Sequence, residues 1–363
     1  MKNILDKILD FTSGEKFYRF GNSDGKYWIM PARDMRTAMN LYQPSGIKGK
    51  MVKALLPMLH GISPVRKVIH ATTLHCSLGK ELHALLCNMF GTEVEFSVFE
   101  GTPSVHRKIT MQLSSGRQIL GYCKLSTSSD IKALFDKENK MLAWLGSKGM
   151  KGIPQVLHCG MLDSGVHIFV QSTVKTRSSA VIHEWGALQE RFLAKLHEKT
   201  KQAVCFEESD YCRTLDLLEK HLDWLPDNVE PAVIARVAAN IKEIFGGREV
   251  EFSAYHGDFT PWNMFVEKNM LFVFDFEYAA KSYPPGLDRY HFFTQTAVFE
   301  RGWGAKEITA FMNSKEGAWI KKQEYTLYLL DIISRFTVRE GKKVTGEATT
   351  PFALWGKLLE KLI

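Results

Sequence analysis

Apolar residues along the chain follow two periods, and the change between them marks out three stretches. From about residue 91 to 174 the runs VEFSVFEG, HRKITMQL and RQILGYCKL are short, rich in β-branched and aromatic residues, and bounded by turn residues, which predicts strands. Ser114-Ser115-Gly116 joins the last two. A single helix follows in SSDIKALFDKENKMLAWLG, where Leu134, Glu138, Met141, Leu142 and Leu145 fall on one face, with Ser129 or Asp130 as cap and Gly146 as stop. GIPQVLHCGMLDSGVHIFVQSTV then predicts two more strands about Asp163-Ser164-Gly165.

From 175 to 363 the period lengthens. LQERFLAKLHEKT, RTLDLLEKHLDWL, AVIARVAANIKEIF and YTLYLLDIISRFTV carry apolar residues three and four apart, so this stretch reads as mainly helical. One β island interrupts it: YHGDFTPWNMFVEKNMLFVFDFEY, residues 255–278. Residues 1–90 form an extension whose role the sequence leaves open. There FYRFGNSDGKYWIM suggests a hairpin about Asn22-Ser23-Asp24-Gly25. GIKGKMVKALLPMLHGI is helical and carries Lys48, Lys50 and Lys53. A packed helix with solvated lysines is the expected reading of that segment, and a basic amphipathic surface for a membrane or partner is the alternative. The expectation is an α+β chain: the extension, a β-rich lobe with one key helix over 91–174, and a helical lobe over 175–363.

Composition narrows the function. The chain has 363 residues, 45% of them hydrophobic, and a net charge of +7 that is not gathered into long runs. That balance allows an anionic ligand such as a nucleotide phosphate, and no helix-turn-helix, zinc-finger or RNA-stacking motif points to nucleic acid. Six cysteines show no C-x-x-C pair or metal-ligand spacing, as expected of reduced thiols. No uncharged apolar run approaches the roughly 20 residues a membrane helix needs. The amino terminus makes a poor signal peptide, and a cytoplasmic protein is expected.

The β island carries the chemistry. Met264-Phe265-Val266 and Leu271-Phe272-Val273-Phe274 read as two short strands about Glu267-Lys268-Asn269-Met270. Folding the chain about residue 269 puts Asn263 opposite Asp275, and directly paired residues hold their Cβ atoms about 5 Å apart. Asp258, on the preceding loop, could approach the same point. An amide oxygen and carboxylates together suit Mg²⁺.

His256-Gly257-Asp258, then Asn263 five residues on, then Asp275 reproduces the order of the kinase phosphoryl-transfer site. The stretch resembles the aminoglycoside phosphotransferases and choline-type small-molecule kinases, whose loop reads H-G-D-x-x-x-x-N. Asp275-Phe276-Glu277 follows the small-molecule pattern rather than that of protein kinases. In YPPGLDRYHFF, Asp288 matches the family's structural aspartate. The resemblance implies a protein kinase-like two-lobe fold with ATP and Mg²⁺ as cofactors. It implies Asp258 as catalytic base, Asn263 and Asp275 as metal ligands with Glu277 as helper, and His256 as a brace of the loop. It calls for an upstream lysine and glutamate. Lys124, near the end of RQILGYCKL, is the candidate lysine. Glu138 sits in an apolar stripe, where a carboxylate needs a cation. The nucleotide-covering loop would be FEGTPSVHRK, with Gly101, Thr102 and Ser104 on the phosphates. The activity implied is phosphoryl transfer from ATP to a hydroxyl of a small molecule: an amino sugar, a choline-like compound, a sugar or an amino alcohol. For such an acceptor Glu207, Glu208 and Asp210 offer acids, and Trp224, Trp262 and Trp303 offer rings. The alternative is a nucleotide-binding regulatory module with residues 1–90 as the surface for a protein partner.

Overall fold

The computed structural model describes residues 4–44, 47–101 and 108–363. They fall into two compact units. The first comprises the chain up to Gly146, Lys151–Val181 and Phe265–Glu277; the second comprises Ser147–Met150, Ile182–Met264 and Tyr278–Ile363.

The first unit opens with a helical turn, α1 (Leu5–Ile8), that runs into β1 (Leu9–Gly21) and β2 (Tyr27–Pro31). The predicted hairpin forms because the Asn22 side-chain oxygen accepts the N–H groups of Asp24 and Lys26, both at 3.1 Å. After α2 (Met35–Ala38), α3 (Ile47–Leu59) and α4 (Ser63–Val68) come β3 (Thr72–Leu78), α5 (Lys80–Phe90), β4 (Glu95–Glu100), β5 (Ile109–Ser115) and β6 (Gln118–Ser126). Then follow α6 (Ser129–Ser147), β7 (Val156–Met161) and β8 (His167–Ser172). The eight strands make one antiparallel sheet in the order β3-β1-β2-β4-β5-β6-β8-β7.

Residues 1–90, expected to stand apart, thus supply three strands of the sheet that holds β4–β8. Tyr27, Trp28 and Ile29 of β2 pair with Glu100, Phe99 and Val98 of β4, which covers an edge that would otherwise present unpaired backbone groups. Successive strand residues point to opposite faces. Phe17, Ile29, Val98 and Met111 share one core with Leu82 and Leu86 of α5. Tyr18, Trp28 and Met30 share another with Met35 of α2 and Leu56 of α3. Helix α6 forms where its apolar stripe predicts, but it runs through Gly146 to Ser147; Gly149, with φ +71°, supplies the left-handed residue just beyond its end.

The second unit contains α7 (Ala187–Thr200), β9 (Gln202–Cys205), α8 (Asp210–Lys220), α9 (Pro231–Phe245) and β10 (Glu249–Tyr255). The chain then makes the hairpin β11 (Met264–Glu267) and β12 (Met270–Val273), which from Phe265 onward belongs to the first unit. Lys268 and Asn269 both take positive φ, 48° and 61°, as a two-residue turn matched to strand twist requires. β13 (Ala280–Tyr283) returns to the second unit, where β10 lies between it and β9. α10 (Leu287–Phe299), α11 (Ala305–Met312), α12 (Lys322–Glu340) and α13 (Thr349–Leu362) complete it. Its core gathers Tyr211, Leu215, Tyr283, Tyr325, Leu329 and Ile332. Among the described residues no helix is long and apolar enough to cross a membrane. All six cysteines are free thiols.

Candidate active site

In the first unit, β6 turns Lys124 inward, where it is only 5% exposed. Its Nζ lies 2.6 Å from Glu138 Oε2 and 2.6 Å from Asp275 Oδ1. Glu138 is fully buried, and its other oxygen accepts the Phe276 N–H at 3.1 Å. One glutamate therefore fixes both the lysine and the backbone beside Asp275. That backbone needs fixing, because Asp275 has φ +70°, a conformation most side chains avoid. Lys108, just before β5, also reaches in: its Nζ is 3.5 Å from Asp275 Oδ1 and makes a short contact with Glu277 Oε2.

Two ammonium groups thus meet three carboxylates. Burial opposes the charge on Lys124, but Asp275 and Glu138 outweigh it and push its pKa up. Lys108 moves the same way, with Asp275 and Glu277 outweighing burial. Burial, followed by the neighbouring Asp275 charge, raises the Glu277 carboxyl.

Carboxylate oxygens of Glu138, Asp275 and Glu277 lie within 4.8 Å of one another. Both Glu138 oxygens already have partners, which leaves Asp275 and Glu277 as the hard-oxygen donors a Mg²⁺ ion prefers. The Lys108 ammonium between them shows that the pair attracts a cation. The donor set fits the metal.

In the second unit the loop after β10 is held from two sides. The Asp288 carboxylate, in the first turn of α10, accepts the His256 N–H at 2.9 Å and the Gly257 N–H at 3.0 Å. Burial pushes its carboxyl up to about 7, against those two donors. From α12, Arg335 donates to the Gly257 carbonyl at 2.5 Å and pairs with buried Asp331 at 3.0 Å. Asp331 in turn accepts the hydroxyls of Tyr255 and Tyr283 at 2.8 and 3.1 Å. Gly257 has φ +82°, and a Cβ there would sit 2.9 Å from the Tyr278 carbonyl oxygen, so only glycine suits the turn.

The loop presents Asp258 with both oxygens engaged. Asn263 Nδ2 donates to Oδ2 at 2.7 Å, and His291 Nε2 lies 3.0 Å from Oδ1. A carboxylate can only accept, so His291 carries its hydrogen on Nε2 and its Nδ1 accepts from the Tyr328 hydroxyl at 3.2 Å. Burial lowers the His291 pKa, with Asp258 acting the other way. Committing its Nδ2 to Asp258 leaves Asn263 its Oδ1 as the atom a cation would take.

The predicted residues therefore gather in two sets: Lys124, Glu138, Asp275 and Glu277 in the first unit, and His256, Asp258 and Asn263 in the second. Gly101 is half-buried just past β4, and a Cβ there would meet nothing within 4 Å. Thr102 and Ser104 lie outside the described residues. Asp210 serves the fold, accepting the N–H groups of Lys281 and Ser282 at 2.8 and 3.0 Å.

Sequence reasoning missed Lys108, His291 and the pair Asp331–Arg335. The last two left a signal. His291 follows Asp288 by three residues, on the same face of α10, and Asp331 and Arg335 are four apart inside an otherwise apolar helical run. Lys108 left none, since a lysine just before a strand is usually a solvated one.

A sequence profile described as the phosphotransferase enzyme family matches residues 124–316, just over half of the chain and beginning at Lys124. No curated protein sequence matches. Among solved structures, a Ralstonia eutropha JMP134 protein described as a candidate aminoglycoside phosphotransferase superposes with a TM-score of 0.50 at 12% identity, over 78% of this chain and 98% of its own. A candidate fructosamine-3-kinase of Haemophilus somnus 129PT gives 0.44 at 14%, over 78% and 97%. The choline kinase LicA of Streptococcus pneumoniae gives 0.43 at 11%, over 70% and 89%. At 12% identity the first of these speaks for the fold alone.

Proposed function

Because the chain belongs to the phosphotransferase enzyme family, matched over residues 124–316, we propose that it is a small-molecule kinase. It moves the γ-phosphoryl group of ATP to a hydroxyl of an amino sugar, choline-like compound, sugar or amino alcohol. The observation that carries this reading is Lys124 held between Glu138 and Asp275, 2.6 Å from each. A lysine so placed presents a fixed positive charge to nucleotide phosphates, and the buried glutamate that also holds the backbone beside Asp275 keeps it there.

Each residue then has one role. Lys124 binds phosphate oxygens, and Glu138 orients Lys124. Asp275 and Glu277 would supply oxygen ligands for Mg²⁺, the family resemblance assigns Asn263 the same role, and the ion when bound would neutralise charge developing on the phosphates. Asp258 accepts the proton of the acceptor hydroxyl as that oxygen attacks the γ-phosphorus and the bond to the β–γ bridging oxygen breaks, releasing ADP, while Asn263 and His291 hold its carboxylate in one orientation.

The test is ATP consumption with Mg²⁺ against a panel of amino sugars, choline, sugars and amino alcohols, run beside Asp258→Asn. Turnover on one acceptor class, abolished in the variant with nucleotide binding retained, is expected. A folded protein that binds Mg-ATP and phosphorylates no hydroxyl acceptor would overturn the proposal.

A further inference from the structure

Seven Lys and Arg residues lie between positions 35 and 80, and that stretch contains no Asp or Glu. The remaining chain carries forty residues of each sign, so the entire net charge of +7 belongs to this one segment. Because the seven are spread along the segment, with only Arg66 and Lys67 adjacent, they do not read as a charge run.

The structure gives the segment a second property. Val52 and Leu56 of α3 and Val65 of α4, with Ile69 just after it, pack on the aromatic cluster of Tyr18, Phe20, Trp28 and Met30. The other sides of the same helices carry Met51, Leu55, Met58 and Val68, with Ile62 in the turn between them, and all five are exposed. Met58 and Val68 are 69% and 79% exposed, far beyond what a helix seated on its own core leaves out. Met51, Leu55, Met58 and Ile62 are spaced four, three and four apart, which makes an apolar stripe at helical period. Lys48, Lys50 and Lys67 are exposed on the same elements. The packed helix with solvated lysines is only half the picture. α3 has a second apolar face, and that face looks outward.

We propose that α3, the turn at 60–62 and α4 form a docking surface for an anionic lipid bilayer. An outward stripe of aliphatic and thioether side chains, in a segment that carries exposed lysines and no Asp or Glu, matches an interfacial helix, whose apolar side enters the acyl boundary while its cations meet anionic headgroups. Single-stranded nucleic acid is the poorer match, because the stripe offers no aromatic ring on which a base could stack. A protein partner would need an acidic rim around a complementary apolar groove, and the same experiment distinguishes it.

The test uses the full chain and vesicles of phosphatidylcholine, alone or mixed with phosphatidylglycerol. Co-sedimentation with the mixed vesicles only, weakening as salt is raised, is expected. Met51→Ser with Met58→Ser and Val68→Ser should weaken partitioning roughly tenfold or more, and Lys48→Gln with Lys50→Gln and Lys67→Gln should do so by a similar factor. Melting curves check that both variants fold. Hydrogen exchange on the unaltered chain gives an independent reading: added anionic vesicles should slow exchange across residues 47–68. The proposal is overturned if neither vesicle binds, if binding survives loss of the apolar side chains, if protection appears elsewhere, or if an acidic polypeptide or RNA competes the chain off the vesicles.

Discussion

His291 Nε2 and Asp258 Oδ1 lie 3.0 Å apart, joining a buried imidazole on α10 to the carboxylate proposed to take the acceptor's proton. His291 acts through Asp258 and is a positioning residue. It determines where Asp258 points, and the Tyr328 hydroxyl at 3.2 Å determines which ring nitrogen carries the hydrogen. His291→Ala is expected to lower kcat about tenfold to a hundredfold with KM for ATP little changed, because an undirected carboxylate loses its near-attack geometry. Tyr328→Phe should cost less. An unchanged kcat in His291→Ala would show that Asn263 alone orients the acid.

Lys124 separates Glu138 from Asp275. Lys124→Met removes that charge and leaves the buried Glu138 carboxylate facing half-buried Asp275, a loss on the order of 3–5 kcal/mol in urea unfolding. Replacing Glu138 by Gln in the same chain should recover much of that stability. It should recover no ATP turnover, since the positive charge for phosphate is still missing. Recovery of both would show the pair to be structural only.

At Gly257 the backbone conformation and the space agree. With φ +82° and the Tyr278 carbonyl 2.9 Å from where a Cβ would stand, Gly257→Ala should lower stability by about 2 kcal/mol or more. It should lower kcat further than the melting curve alone explains, because the strained residue adjoins Asp258. Melting and turnover measured on the same preparation check both.

Lys175 gives a pH signature. Burial, helped by the nearby Lys53 charge, lowers its pKa to about 8 from the ordinary 10.5. Between those values the unfolded chain holds a proton that the folded chain has released, so the unfolding free energy should climb as pH rises through this window. Below about pH 8 the full cost of burying the ammonium remains. Lys175→Met should abolish the slope and stabilise the protein at pH 7 by an amount on the order of 3 kcal/mol. Unfolding series from pH 7 to 10.5 on the two chains measure it.

How much the sequence disclosed depends on how local each signal was. The β11–β12 turn was legible because Lys268 and Asn269 sit between two apolar runs of matching length, although it centres between those two residues and not on Asn269, so the exact pairing of residue 263 with 275 does not follow. Glu138 was legible because a carboxylate in an apolar stripe has to find a cation. The pairing of Tyr27 with Glu100 was not, since strands more than seventy residues apart carry no local mark of their neighbour. Residues 1–90 read as an appendage for that reason. Lys108 stayed hidden because reaching Asp275 and Glu277, more than 160 residues away, depends on the tertiary fold. Asp331 and Arg335 could have been found by the same reasoning that exposed Glu138.

The ladder between β2 and β4 bears on where this protein can be cut. A chain shortened to start at β4, where the kinase-like pattern begins, would strip Val98, Phe99 and Glu100 of their backbone partners. It would also remove Phe17 and Leu82 from beneath the sheet and leave a raw border ready to recruit strands from other molecules. Such a fragment should clump, and the first three strands are therefore as much a part of this sheet as the one that bears Lys124.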